Sequence, residues 1–319
     1  MRVSEISPWT PFDIMGYEMR IEDKLHGVTT PVEVTFSGDR GSLGSGFFFF
    51  DLVPKADEGP QWRKLRGQYL VTNKHVVLPS EYGGTSALDH IQELRFFFRK
   101  AGEGGQSMEK VSRVLDRNEL IDRVMLHQNP EVDICLVDIG KLVTDEIQQA
   151  ASDALTEPIG LGYLYHGIVD SDFPGASPIS VHAGDDVLVV GYPRGLYDEA
   201  NVFPIVKRGT IATRWRAHFM GMPYFLIDTQ LYKGSSGSLV ITKPQDHAVK
   251  DGKLMTTEDP QYCFLGIYSA EPVKKVPPLD LETITISGVL SYGLGVVWYY
   301  DLIPQILSLP RRPGEDAAM

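Results

Sequence analysis

Two cysteines in 319 residues are too few for a disulfide framework. Cys135 and Cys263 each sit in an apolar, strand-like run, which predicts two buried free thiols rather than a bridge. Long apolar stretches are also missing. Clusters such as 46–50 and 187–190 are far too short to cross a bilayer. Positive charge is in deficit: 30 Lys and Arg against 42 Asp and Glu leave a net charge of −12. That argues against nucleic acid, whose phosphates require cationic partners, and against docking on anionic lipid. Neither His-Glu-x-x-His nor Cys-x-x-Cys occurs, so no metal and no cofactor is expected. The Gly-rich stretch 41–46 lacks the Lys-Ser/Thr ending of a phosphate loop and reads as a strand lead-in. The opening MRVSEISPWTPFDIMGYEMR has no basic start followed by an apolar run, so a secretory leader is not expected and the cytoplasm is the default location.

What is present is a succession of short apolar or alternating runs separated by Gly, Pro, Asn and Asp. They fall at 32–37, 46–53, 69–71, 93–98, 134–139, 186–191, 206–213, 224–229, 238–242, 262–269 and 293–298. Runs of this length, rich in Val, Ile, Phe and Tyr, predict an all-β fold rather than βαβ units. About a dozen strands suit two antiparallel six-stranded β-barrels side by side. The boundaries expected are an N-terminal extension at 1–29, a first barrel at 30–140, a connection at 141–177, a second barrel at 178–309 and a tail at 310–319. Helical spacing appears at 142–155, with Thr144 as a cap before Glu146, and at 301–309, a short closing helix capped by Asp301 and stopped by Pro310 and Pro313. Polar stretches at 54–67, 102–110 and 243–260 read as surface insertions. The aromatic run Phe47 to Phe50 is expected in the core, with alternate rings inward.

Three segments carry chemistry. YKGSSGSLVI (232–241) places Gly-x-Ser-Gly directly before an apolar strand. Alone it is weak, since about one chain in ten of this length holds such a run by chance and a plain hairpin turn would use the same residues. Its chemical reading is a serine nucleophile at Ser236, with the N–H groups of Gly234 and Ser236 aimed at one point where an oxyanion can form. YLVTNKHVVL (69–78) sets His75 between a strand and a brief apolar turn. EVDICLVDI (131–139) sets Asp133 at the mouth of a buried strand, where a carboxylate is costly unless paired.

Together these segments resemble the trypsin-like, chymotrypsin-fold serine proteases, most closely the bacterial HtrA-like branch, in the order His, Asp, Ser. Further segments are similar to that family too: LGSGFFF (43–49), GDDVLVVGYPRGL (184–196), KRGTIAT (207–213), FLGIYSA (264–270) and GLGVV (293–297). The resemblance spans about 30–309. It implies a serine endopeptidase acting through an acyl-enzyme, with Ser236 as nucleophile, His75 as proton carrier, Asp133 orienting His75, and Gly234 and Ser236 forming the oxyanion hole. It also implies that Ser269 supports the buried aspartate. A protein or peptide substrate follows, here a specific intracellular protein target.

Departures from the family pattern matter. Trypsins that mature by cleavage carry Asp before the nucleophile to pair with a new N-terminus. Here Ser235 stands there, so activation by that ion pair is not expected, which leaves room for a conformational or ligand trigger or a regulatory partner. Ser238 stands where Gly is common. No PDZ-like domain is expected after Leu309. Gln230, six before the nucleophile, gives no support for an Arg or Lys preference, and Asp228 nearby reads as structural. Tyr232 and Lys233 border the expected cleft, with Ser269 and Glu271 on its far strand, where Glu271 could favour a basic side chain. His166, His182, His218 and His247 read as exposed or structural. Two competing readings are a catalytically silent protease fold used as a binding module and an α/β-hydrolase. The latter wants Gly-x-Ser-x-Gly before a helix and the order Ser, acid, His, neither of which is found.

Overall fold

The computed structural model describes residues 21–38, 40–54, 63–80, 88–101, 108–143, 163–250, 253–281 and 284–309. Its first half is built from strands β1 (Thr29–Phe36), β2 (Arg40–Pro54), β3 (Arg63–Thr72), β4 (Ile91–Ala101), β5 (Met108–Asp116), β6 (Val124–Leu126), β7 (Cys135–Asp138) and β8 (Tyr163–Leu164). They form one antiparallel sheet in the order β5-β4-β1-β2-β3-β7-β6, with β8 added to β4. Side chains from strands far apart in that order, such as Phe96 on β4, Leu115 on β5, Leu70 on β3 and Val137 on β7, share a single core, so the sheet is curled around it. Helix α3 (Arg117–Arg123), opened by a capping box between Asp116 and Glu119, packs against β4, β5 and β7 across the gap.

The second half closes completely. Strands β9 (Asp186–Gly191), β10 (Ile205–Ile211), β11 (Tyr224–Asp228), β12 (Leu239–Thr242), β15 (Phe264–Tyr268) and β18 (Leu294–Tyr299) form a barrel in the order β10-β11-β18-β15-β12-β9. Gly266 allows that closure: at φ +154 a Cβ there would lie 1.8 Å from the carbonyl oxygen of Trp298 on the neighbouring strand. Two hairpins stand apart as separate two-stranded sheets, β13–β14 (Gln245–Lys250 and Lys253–Gln261) and β16–β17 (Val273–Leu281 and Ile284–Ser291). The all-β, two-barrel expectation therefore holds, with the first unit a curled sheet of eight strands among the described residues rather than six.

Between the two units lies a third core. It joins Phe47, Phe49, Tyr69, Val71 and Leu136 from the first sheet to Val190, Leu239, Ile241, Phe264, Ile267 and Trp298 from the second. Strand β2 serves both sides. Phe47 and Phe49 face the seam while Phe48 and Phe50 face the interior of the first sheet, so rings of both parities are covered. This corrects the expectation of alternate rings inward: period-two alternation persists, but each face meets a different core.

The helices differ from the sequence reading in three ways. Helix α1 (Ile21–Val28) lies in the stretch read as an extension, yet Leu25 and Val28 are buried in the seam core. Helix α2 (Lys74–Val77) is the brief turn bearing His75. The closing helix α4 spans Leu302–Leu307, and Asp301 makes no side-chain cap to it; its carboxylate pairs with Arg216 at 3.1 Å instead. A helical turn occupies 140–143, but Thr144, Glu146 and the rest of the expected helix at 142–155 lie outside the described residues. The insertion read at 243–260 is the hairpin β13–β14, whereas β16–β17 was not anticipated.

Both thiols are free and buried, as expected. Burial, and after it the carboxylate of Asp133, pushes the Cys135 thiol up to about 12, while an unperturbed thiol titrates near 9.0. Between those values the folded chain keeps a proton that the unfolded chain releases, so this thiol makes stability fall as pH rises through that window. Native protein at pH 8 is expected to resist iodoacetamide at both positions and to take two labels once denatured. Rapid native labelling, read by mass spectrometry, would contradict these cores.

Candidate active site

Position 75 is set by a strand end and a borrowed cap. Strand β3 finishes at Thr72, and Asn73 begins α2 without capping it through its own side chain. The carboxylate of Asp133 does so instead: its Oδ1 accepts the backbone N–H of His75 at 2.9 Å. Its Oδ2 lies 2.7 Å from His75 Nδ1. Asn73 is freed for another task, donating from Nδ2 to the carbonyl of Asp133 at 2.6 Å. Val76 and Val77 anchor the short helix in the first core. An ionised carboxylate only accepts, so Nδ1 carries the hydrogen and Nε2 is left as the lone-pair nitrogen. The imidazole is 43% exposed and the carboxylate 17%, so the ring reaches solvent while the acid beneath it is largely covered.

Ser269 completes the carboxylate's shell, donating from Oγ to Asp133 Oδ2 at 2.5 Å. The contact implied by the family resemblance is therefore present. The same residue touches the proposed nucleophile, since its carbonyl accepts the hydroxyl of Ser236 at 2.8 Å. Among the described residues this is the hydrogen bond Ser236 Oγ makes; none joins it to His75. Ser269 thus brackets the arrangement, with its hydroxyl on the acid and its carbonyl on the serine. Staggered χ1 wells give the serine hydroxyl alternative directions without backbone movement.

The turn before Ser236 leaves two donors unspent. The N–H of Ser235 goes to Tyr232, that of Ser238 to Ser235 and that of Gly237 to Tyr268, at 2.8–3.0 Å. Those of Gly234 and Ser236 have no protein acceptor among the described residues. The Lys233 carbonyl is held at 2.5 Å by the N–H of Arg194, and in a planar trans peptide this turns the N–H of Gly234 the opposite way. Gly234 takes φ 87, a conformation glycine adopts freely. Two free N–H groups flanking one residue, beside a serine hydroxyl, can bind a developing oxyanion.

Ser45 on β2 holds this turn from the other unit. Its hydroxyl donates to the carbonyl of Gly234 at 2.9 Å and accepts from the N–H of Tyr192 at 2.8 Å, while its own N–H donates to the carbonyl of Ser236 at 2.7 Å. Its carbonyl accepts from Thr72 Oγ1 at 2.7 Å. The side chain of Tyr192 is tied in turn to the buried guanidinium of Arg99, which also donates to the carbonyls of Thr29, Asn201 and Val202. None of Ser45, Asn73, Tyr192 and Arg99 was singled out from sequence. Ser238, at the position where Gly is common, is accommodated by Gly191: a Cβ there would lie 1.9 Å from Ser238 Oγ.

The remaining expected residues are dispersed. Ser235 is buried and its hydroxyl has no hydrogen-bond partner among the described residues. Gln230, Tyr232 and Lys233 are exposed along the turn. Glu271 accepts a hydrogen bond from Ser291 at the base of the β16–β17 hairpin, so its carboxylate is already engaged. Asp228 is exposed at the end of β11.

A curled sheet and a closed barrel meeting along a seam, with His, Asp and Ser contributed from both, define the two-barrel class of trypsin-like proteases. The model of the trypsin-like peptidase domain family matches residues 44–249, more than half of the chain and a span that includes all three residues. The chain belongs to that family. None of the curated proteins matches it. Among solved structures it is similar to the HtrA-type protease AlgW with a tripeptide (16% identity, 89% of this chain and 60% of that one, TM-score 0.41). It is also similar to the thermostable serine protease AL20 from an extremophilic microorganism (13% identity, 89% and 95%, TM-score 0.41) and to a scabies mite inactivated protease paralogue (15% identity, 91% and 99%, TM-score 0.41). The chain spans 60% of the length of the AlgW chain, and the family assignment rests on the family match.

Proposed function

We propose that this protein is a serine endopeptidase that cleaves a specific protein target through an acyl-enzyme. The observation that carries the reading is the continuous contact path from His75 through Asp133 and Ser269 to Ser236, ending beside two N–H donors without protein acceptors. In this reading Ser236 Oγ turns from the Ser269 carbonyl to His75 Nε2 and attacks the scissile carbonyl as the imidazole takes its proton. The N–H groups of Gly234 and Ser236 receive the oxyanion. The imidazolium, steadied by Asp133, then protonates the leaving amine, and water repeats the cycle on the ester. With Ser235 in place of an aspartate, turning of the Ser236 hydroxyl is the step that a ligand or partner would control. The two free thiols support action in a reducing compartment, the cytoplasm.

One observation favours a second reading, a silent protease fold that only binds: Ser236 Oγ rests on Ser269 rather than on His75. A fluorophosphonate probe separates the two. The catalytic reading expects stoichiometric label on Ser236 alone, lost in His75→Ala where no base takes the hydroxyl proton. A folded sample that stays unlabelled in the presence of cleavable protein would leave the binding module standing.

A further inference from the structure

We propose that this site selects substrates with an acidic side chain next to the scissile bond, through a cationic rim of Arg194, Lys207 and Lys233; the inference rests on the serine-protease reading above. The three cations are fixed to the turn that precedes the nucleophile. Lys233 is the residue before Gly234. Arg194 is fastened to it by the 2.5 Å bond from its N–H to the Lys233 carbonyl. Lys207 reaches from β10 to donate from Nζ to the carbonyl of Gln230. Around the exposed ring of Tyr232 two of the charges converge: the guanidinium carbon of Arg194 lies 4.7 Å from the ring centroid and Nζ of Lys207 4.9 Å.

No carboxylate among the described residues answers them. Among the described residues none of the three cations forms an ion pair, although the chain carries 42 acidic groups against 30 basic ones. Their neighbour Arg208 shows what is available elsewhere, holding Asp186 through three hydrogen bonds of 2.7–3.1 Å. The Tyr232 ring attracts Arg194 and Lys207 through its quadrupole but does not cancel their mutual repulsion. Arg194 is held besides in the left-handed region, at φ 54 and ψ 24, where a residue with a Cβ is strained. A strained Arg194 backbone and like charges gathered on the turn before the serine leave the empty rim less favourable than one with a carboxylate bound. A substrate carboxylate would relieve the repulsion and a substrate lysine would add to it, so the rim attracts one class and rejects the other.

The test is a fluorogenic peptide library randomised over the positions flanking the cleaved bond, followed by matched Glu and Gln peptides at the best acidic position. In about 50 mM salt kcat/KM is expected to favour Glu over Gln by about tenfold, shrinking severalfold in about 0.5 M salt as the charges are screened. Arg194→Ala and Lys207→Ala should each narrow the Glu-to-Gln ratio about three- to fivefold, and Arg194→Glu should shift selection towards Lys. Cleavage with a ratio near one overturns the acidic preference and leaves the protease reading intact. A ratio that survives both alanine variants moves the preference to another part of the cleft and overturns the assignment to this rim. Probe labelling without cleavage of any library member also overturns it, and absence of both removes the protease reading with it.

Discussion

Replacing Ser236 with alanine is expected to lower peptide hydrolysis by about 10⁴- to 10⁶-fold while leaving the chain folded. The substitution deletes one hydroxyl whose hydrogen bond is to the Ser269 carbonyl. The backbone of position 236 stays fastened, since its carbonyl still receives the N–H of Ser45. The loss in unfolding free energy should therefore stay near about 1 kcal/mol, the worth of a single neutral hydrogen bond. A residual rate above water is expected, because the N–H groups of Gly234 and Ser236 remain to polarise a carbonyl. Adding His75→Ala to Ser236→Ala should cost little more, since an imidazole without a hydroxyl to deprotonate has no task. Additive losses, or an alanine variant within tenfold of wild type, would place the nucleophile elsewhere. Steady-state hydrolysis and thermal melts on the same preparations decide between these outcomes.

The second large effect concerns the fold as much as the site. Gly237→Ala should destabilise the protein by about 3 kcal/mol or more and lower activity together with the melting temperature. Two costs add. Gly237 stands at φ 87, in the left-handed region that an L side chain adopts at a cost of about 1–2 kcal/mol. A Cβ there would also sit 1.9 Å from the carbonyl oxygen of Ser45 and 2.5 Å from Thr72 Oγ1, an overlap that requires the two units to move apart and costs about a further 1–3 kcal/mol. A fall in melting temperature on the order of 10 °C follows for a protein of this size. Gly293→Ala is the control for the first cost alone. It has φ 67 and no atom within 4 Å of its Cβ position, so it should lose only the conformational part. Equal losses at 237 and 293 would refute the close approach of Ser45.

What the sequence made legible was the part of the molecule governed by local pattern. Strands such as β2, β4, β9 and β15 are apolar runs that bury one or both faces, and hydrophobic periodicity finds them directly. The three segments around His75, Asp133 and Ser236 were legible because each sits in a short, self-contained strand-turn context. The hairpins β13–β14 and β16–β17 escaped as strands: both stand outside the barrels as separate two-stranded sheets, and the consecutive Pro277 and Pro278 in β16 count against a strand in any pattern reading. Helix α1 escaped although Ile21, Leu25 and Val28 stand at helical spacing and pack in the seam core, because eight residues give little more than two turns of pattern.

The support of the site was not legible for a different reason. Ser45 reaches Gly234 across 189 residues and Asn73 reaches Asp133 across 60, in both cases to a backbone carbonyl that any residue type would offer. Side chain-to-backbone contacts leave no mark on the partner's identity, so no pattern within one chain discloses them. Asp301 failed as a cap for a related reason: a cation distant in sequence, Arg216, competes for the same carboxylate. The cationic rim was hidden likewise, since Arg194 and Lys207 are distant in sequence and meet only at the ring of Tyr232, beside Lys233.

Ser45 has an implication for the chain during synthesis. Residues that emerge first can assemble an imidazole–carboxylate pair, but the hydroxyl and its N–H cradle arrive about a hundred residues after Asp133, on a turn that a serine of the earlier unit must grip. Cutting power on this scheme switches on only when both halves are complete and docked, which spares the nascent chain and its neighbours on the ribosome from premature attack.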